Sequence, residues 1–303
     1  MWFRNLTVLR FAEPFVLAEG ELEQRLQTRR FAPCGRVEPA TCGWEPPLGS
    51  ASDRLVHFVN GCGILCLRRE EKIVPASVVN EIVAERVSEI EASQGRRVRR
   101  KERQSIAGEV LLDLLPRAFT HSILTYGYID PQGARLVVDA AAAKKADEFT
   151  ALLRAALGSL AVVPVASKQR PSLVMTRWLA GESVPPDLTI EDECELRLQE
   201  EEGSLVRCKR QPLFSPEIQS HLDAGKEVVK LAVTWDDRLS FLLDDQLGIR
   251  RLRFLDIVQE QAADTDSDDA AERFEAEFAI MTLELARLLP RLLELFGGEE
   301  TQP

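Results

Sequence analysis

The sequence predicts an α+β fold, with mixed or antiparallel sheets and a helical arm inserted in its first half. Three observations carry that class. Strand-like runs follow one another at hairpin spacing, most clearly at 228–235, 239–244 and 249–254, where the connections are too short for the crossover that parallel strands need. Helix-period segments stand between such groups rather than after every strand, which separates the pattern from repeated βαβ units. The chain has 303 residues, of which 45% are hydrophobic, enough for a sizeable core in about two domains.

Residues 2–11 (WFRNLTVLRF) read as an opening strand. Glu19 to Arg30 reads as a short helix that stops before Pro33–Cys34–Gly35. Residues 38–53 hold three prolines, two glycines and two serines and read as loop. Strands are expected near Leu55–Asn60 and Ile64–Arg68. Pro75 opens a helical stretch in which Val78, Val79, Ile82, Val83, Val87 and Ile90 recur at helical spacing, and Gly95 ends it. A second helix is expected from Arg99 to Leu115, before Pro116. Together they form the inserted arm, residues 75–118.

Strands are expected again at Ser122–Ile129 and Ala134–Ala140, joined by the turn Asp130–Gly133. Ala143–Leu157 reads as a helix capped by Gly158. The prolines between 164 and 186 place a domain boundary close to 165, with a strand near Ser172–Leu179 beyond it. Further strands follow around Cys194–Leu198 and Ser204–Lys209, then a helix from Pro216 to Ala224 and the three hairpin-spaced runs. An acidic, turn-rich linker at 262–270 leads into a last helix, about Ala271 to Phe296. Its apolar surface is too broad to leave in water, so it packs on a sheet or a partner.

The formal net charge is −11, which by itself opposes a polyanionic partner. The placement of charge matters more than its sum. The strongest local signal is GRRVRRKER, in which Arg96, Arg97, Arg99, Arg100, Lys101 and Arg103 crowd the junction of the two arm helices. Like charges at that density repel unless an anion is near, and arginines hold phosphates without regard to base sequence. The competing reading is a solvated helix tip balanced by Glu85, Glu89, Glu91 and Glu102. A second set is Arg207, Lys209, Arg210 and Gln211, followed by Lys226 and Lys230. On a strand Arg207 and Lys209 share a face and Arg210 takes the other. Arg250, Arg251 and Arg253 form a third, with Arg251 and Arg253 on one face. Strand-borne cations can line a concave DNA surface. An ordinary solvated face accounts for either set taken singly.

Catalytic signals are poor. The acidic pairs Asp236–Asp237 and Asp244–Asp245 and the run Asp264, Asp266, Asp268 and Asp269 invite a metal-dependent hydrolase, which needs carboxylates converging on one site. Adjacent strand residues point to opposite faces, Asp244–Gly248 reads as a hairpin turn, and the last run reads as linker. His57, His121 and His221 lie far apart with no HExxH context, and the chain has neither a P-loop nor G-x-S-x-G. Six cysteines are scattered, and Cys62 and Cys66, the one close pair, lack a second pair to complete a zinc site. No enzyme activity, cofactor or metal is expected. With no run of about 18 apolar residues and no signal peptide, the cytoplasm is the expected compartment. A protein-only regulator docking through an acidic face is a third reading.

Several segments then carry a resemblance: WFRNLTVLRF, FAPCG, GWEPPLGS, EEKIVPASVVNE, EVLLDLLPRAF, ALLRAALGSLAVVPV, AGKEVVKLAVTW, RRLRF and AEFAIMTLELARLL. In this order, across essentially the whole chain, they resemble the RdgC family of recombination-associated proteins. The resemblance implies a ring-shaped homodimer whose positive central hole takes duplex DNA with little sequence preference, and which restrains RecA-driven recombination in the nucleoid. It implies a centre region (1–74 with 119–165), a tip (75–118) and a base (166–303). It further implies Phe119 as an apolar dimer contact, and Arg96, Arg210, Gln211 and Lys226 as positions of the DNA surface. The basic residues would then face inward and the acidic excess outward.

Overall fold

The computed structural model describes residues 1–200, 203–263 and 269–300. Its first half holds β1 (Leu6–Phe11), α1 (Glu19–Gln27), β2 (Ala40–Glu45), β3 (Val56–Val59), β4 (Cys62–Ile73), α2 (Ala76–Gln94), α3 (Arg100–Leu114), β5 (Phe119–Asp130), β6 (Arg135–Asp139), α4 (Ala143–Leu157) and β7 (Val162–Pro164). The second half continues with α5 (Pro171–Leu179), β8 (Leu188–Leu198), β9 (Leu205–Lys209), α6 (Pro216–Asp223), β10 (Lys226–Trp235), β11 (Leu239–Asp244), β12 (Ile249–Phe254), α7 (Asp256–Ala263) and α8 (Ala270–Leu295). The α+β class holds, and each pairing among the described strands is antiparallel.

The strands form one sheet in the order β2-β4-β5-β6-β1-β12-β11-β10-β8-β9, with β3 on β4 and β7 on β1. Within the sheet the halves meet at a narrow seam, although Phe3, Ile64, Tyr128 and Val137 of the first half also join the core under α8. Leu6 opposite Ile249 is the single register pair between β1 and β12. It is reinforced by the Leu252 N–H donating to the Arg4 carbonyl at 2.8 Å and by Arg250 donating to the Ala140 carbonyl at 3.0 Å.

Two large cores lie on this sheet. In the first, α4 places Ala146, Phe149, Leu153 and Leu157 at helical spacing against Trp44, Leu65 and Leu136, with Leu22 and Leu26 of α1. Gly127 of β5 is required there, because a Cβ would meet the Phe149 ring at 2.6 Å. In the second, α8 lays Phe278, Met281, Leu285, Leu288, Leu292 and Phe296 against Val228, Leu231, Phe241 and Ile249. Full burial contributes about 2 kcal/mol for each such side chain. A third, small cluster of Val83, Ile106 and Val110 joins α2 to α3. Gly95 ends α2 at φ 62°, a left-handed conformation that glycine adopts without strain. The five residues 95–99 then turn the chain back into α3.

Several local expectations are corrected. Residues 40–45 are a strand rather than loop. Register with the long β4, from Ala40 opposite Glu71 to Glu45 opposite Cys66, overrides their turn-rich surroundings. Residues 172–179 are helix, not strand. Pro171 takes the first helical turn, and Ser172, Val174, Met175, Trp178 and Leu179 are buried at helical rather than alternate spacing. Pro75 stands at the N-cap of α2 instead of inside it. Asp236 and Asp237 lie on no strand. Both have φ near 50° and make the β10–β11 turn, the backbone of a type I′ hairpin. Arg210 does not face away from Arg207 and Lys209 along a strand, since β9 ends at Lys209 and Arg210 turns to φ 55°. The strand β7 and the helix α7 were not expected. Asp264, Asp266 and Asp268 fall outside the described residues, whereas Asp269 caps α8 by accepting from the Ala271 N–H at 2.9 Å.

Candidate nucleic-acid interface

The cations of the 95–103 segment stand where α2 hands over to α3. Arg96 is engaged: its guanidinium donates twice to Glu102, at 2.6 and 2.7 Å, and once to Gln94 at 2.8 Å. The Glu91 carboxylate turns to the Val98 N–H at 2.8 Å, which fixes the connecting loop. Arg97, Arg99, Arg100, Lys101 and Arg103 are exposed and make no ion pair among the described residues. These five cations crowd one helix junction, a density of positive charge that can hold phosphates without reading bases. Of the balancing acids expected from sequence, Glu102 alone reaches an arginine of the cluster.

The second and third basic sets come together on the outer face of the second half-sheet, around two acids of β8. Glu195 accepts from Arg207 at 2.9 Å and Lys230 at 3.2 Å, and lies 3.7 Å from Arg197. Glu193 lies 3.4 Å from Lys209 and 2.9 Å from Arg251. Arg251 reaches out because β12 bulges there. Its φ is 51°, and the register shifts between Ser240 and Leu242, so Leu252 and Phe254 point inward while Arg251 and Arg253 are exposed. Arg253 and Arg210 are exposed and without an ion pair among the described residues. Lys226 is half-buried with its Nζ 3.1 Å from His221 Nδ1. Gln211 is half-buried too, and its backbone N–H donates to the Asp192 carbonyl at 3.4 Å.

Glu193, Glu195 and Arg197 were not singled out from sequence. The signal was present, because alternate residues 193, 195 and 197 share one strand face. Apart from the Arg197–Glu195 contact within β8, their partners sit on other strands and have no sequence signature.

At the root of the tip, Phe119 is 84% exposed. Lys72 clamps that root by donating to the carbonyls of Arg36 at 2.6 Å and Leu115 at 2.9 Å.

Comparison with known proteins adds the decisive observation. A family model described as "Putative exonuclease, RdgC" matches residues 1–299. The chain is 45% identical over 300 residues to the recombination-associated protein RdgC of Aeromonas hydrophila subsp. hydrophila, covering 99% of each chain. It is 45% identical over 302 residues to that of Tolumonas auensis, covering 100% of each. It is 41% identical over 301 residues to that of Psychromonas ingrahamii, covering 99% of this chain and all of the relative. The chain belongs to the RdgC family.

The word exonuclease in that description directs attention to the acids of this RdgC-family chain. Among the described residues no group of three or more His, Cys, Asp or Glu side chains is arranged to hold a metal ion. The Asp244 carboxylate is occupied by its own turn, accepting from the Gln246 and Gly248 N–H groups at 3.0 and 2.6 Å and pairing with Arg250 at 3.1 Å. Cys62 and Cys66 are four residues apart on β4, about 13 Å along a strand, too far to share a metal with bonds of about 2.3 Å. Burial pushes both thiols up to about 12. A cleft of about 490 Å³ opens beside the seam, lined by Val8, Val165, Leu289 and Leu292. Of the charged groups that line it, Arg135 pairs with Glu299, Lys230 with Glu195 and Arg250 with Asp244. No helix of the described residues is long and apolar enough to cross a membrane.

Proposed function

We propose that this chain is a non-enzymatic DNA-binding protein with little sequence preference, acting as a ring-shaped homodimer around duplex DNA and restraining RecA-driven recombination. The observation that carries the reading is the tip of five exposed, unpaired cations on an acidic chain of net charge −11. Membership in the RdgC family, whose relatives are named for recombination, supports it. Residues 75–118 act as the tip of the ring, 1–74 with 119–165 as its centre and 166–303 as its base. Phe119 contributes an apolar contact between the two tips. Basic side chains replace the condensed counterions of the duplex, and closure of the ring slows escape. The DNA so occupied, double-stranded or single-stranded, is withheld from RecA by competition or by direct contact. This places the protein in the cytoplasm, on the nucleoid.

Retention on closed-circular plasmid against the same plasmid linearised tests this. After loading at low salt and a shift to high salt, an encircling dimer stays on the circle and leaves the linear form through its ends. Release from both at the same salt removes encirclement. The description of the family model keeps one alternative in view, a metal-dependent exonuclease. Magnesium-dependent shortening of the linear plasmid, stopped by a chelator, would establish it. Binding to protein partners that persists after DNA is digested, with no binding to DNA itself, would establish the protein-only regulator.

A further inference from the structure

Glu193 and Glu195 sit two residues apart on β8 and face the same side of the sheet. Around them stand five cations from four strands: Arg197 on β8, Arg207 and Lys209 on β9, Lys230 on β10 and Arg251 on β12. The acids lie low and the cations stand high. The carboxylate side chains of Glu193 and Glu195 are 20% and 8% exposed, whereas Arg207, Lys209 and Arg251 keep more than half of their surface open. Arg207, Lys209 and Arg251 therefore each hold a carboxylate on one side and offer the other to solvent, while Lys230 is 35% exposed. Burial pushes the Glu195 carboxyl up, but the hydrogen bonds from Arg207 and Lys230 overcome it and hold the group below the usual carboxylate range. It stays charged at neutral pH. Five positive and two negative charges leave the array at +3.

We infer that Glu193 and Glu195 are positioning residues that hold these five cations in a fixed array and cap the phosphate charge the array neutralises. The inference rests on the DNA-binding reading above and deepens it. A protein that moves along DNA needs cations at fixed spacing without the full attraction they would exert alone. An internal carboxylate beneath each group of cations supplies both: it removes side-chain freedom that would otherwise be lost on binding, and it subtracts one charge from the total. The tip, where five cations stand without an ion pair among the described residues, is then the steep electrostatic contact and the sheet the shallow one.

The test uses Glu193→Gln, Glu195→Gln and the double variant of the full chain. Glutamine keeps the shape and one accepting oxygen and removes the charge. Anisotropy of a labelled duplex is followed between about 50 and 200 mM salt, with circular dichroism melts as a control of fold. Each charge removed frees about one more phosphate contact, so the logarithmic salt slope steepens by about 0.9 per variant and the affinity lost across that salt range grows roughly threefold, or tenfold for the double variant. Slopes equal to or shallower than that of the unaltered protein overturn the inference. Absence of binding by the unaltered protein overturns the DNA reading itself, a distinct outcome. Glu195 is buried under three cations, so its variant risks unfolding. Glu193, more open and holding two, decides the question alone.

Discussion

Ile73 and Phe119 face each other as the terminal pair of the β4–β5 ladder, and both stand in solvent, 51% and 84% exposed. The chain leaves the sheet at one and returns at the other, with α2 and α3 between them. These two exposed apolar side chains at one strand end are the basis for the proposed contact between subunits. Phe119→Ala is expected to shift the protein from dimer to monomer in sedimentation velocity. The side chain is 84% exposed, so the stability of the fold should change by no more than about 0.5 kcal/mol. A dimer that persists unchanged removes Phe119 from the interface.

The tip predicts a graded response. Changing Arg97, Arg99, Arg100 and Lys101 to glutamine should reduce the logarithmic salt slope of DNA binding by about 1 for each lost phosphate contact. Arg96→Gln should do less, because that guanidinium is already held by Glu102. Equal slopes for the fourfold variant and the unaltered protein place the DNA elsewhere.

Arg238 and Glu284 test the attachment of α8 to the sheet. Glu284 is 1% exposed and receives Arg238 at 2.7 and 2.8 Å from the foot of β11. Removing one partner leaves a buried charge without its main counter-ion, so Arg238→Ala should cost about 3 kcal/mol in urea unfolding. A loss below 1 kcal/mol would show that Arg287, 3.5 Å from the same carboxylate, replaces it.

Asp187 gives a pH signature. Hydrogen bonds from Arg291, at 2.8 and 3.0 Å, hold its carboxyl below the ordinary value of 3.8. A carboxyl lowered in the folded state adds stability that is fully present above its unfolded value and is lost as pH falls through the folded one. The gap in urea midpoint between the unaltered protein and Asp187→Asn should therefore be open at pH 6 and close below the ordinary carboxylate value. A gap independent of pH contradicts the assignment.

What the sequence made legible was local. Ala143–Leu157 was read to the residue because its apolar spacing and Gly158 cap are intrinsic to the segment. The turns at Gly95 and Asp244–Gly248 were likewise written in their own residues. Residues 40–45 were missed because a partner strand, not their own composition, makes them extended. The segment 172–179 reads as a strand in sequence; Pro171, one of four prolines between 164 and 186, instead starts a helix there. The candidate cations were legible as clusters, but which of them are neutralised was not. That depends on Glu193 and Glu195, which sequence reasoning passed over.

The most direct test of the account is fluorescence anisotropy of the full chain with several unrelated labelled duplexes across a salt series. The account predicts similar affinities for all of them and one steep, common salt dependence. No binding at low salt, or tight binding to a single duplex with a shallow dependence, would contradict it.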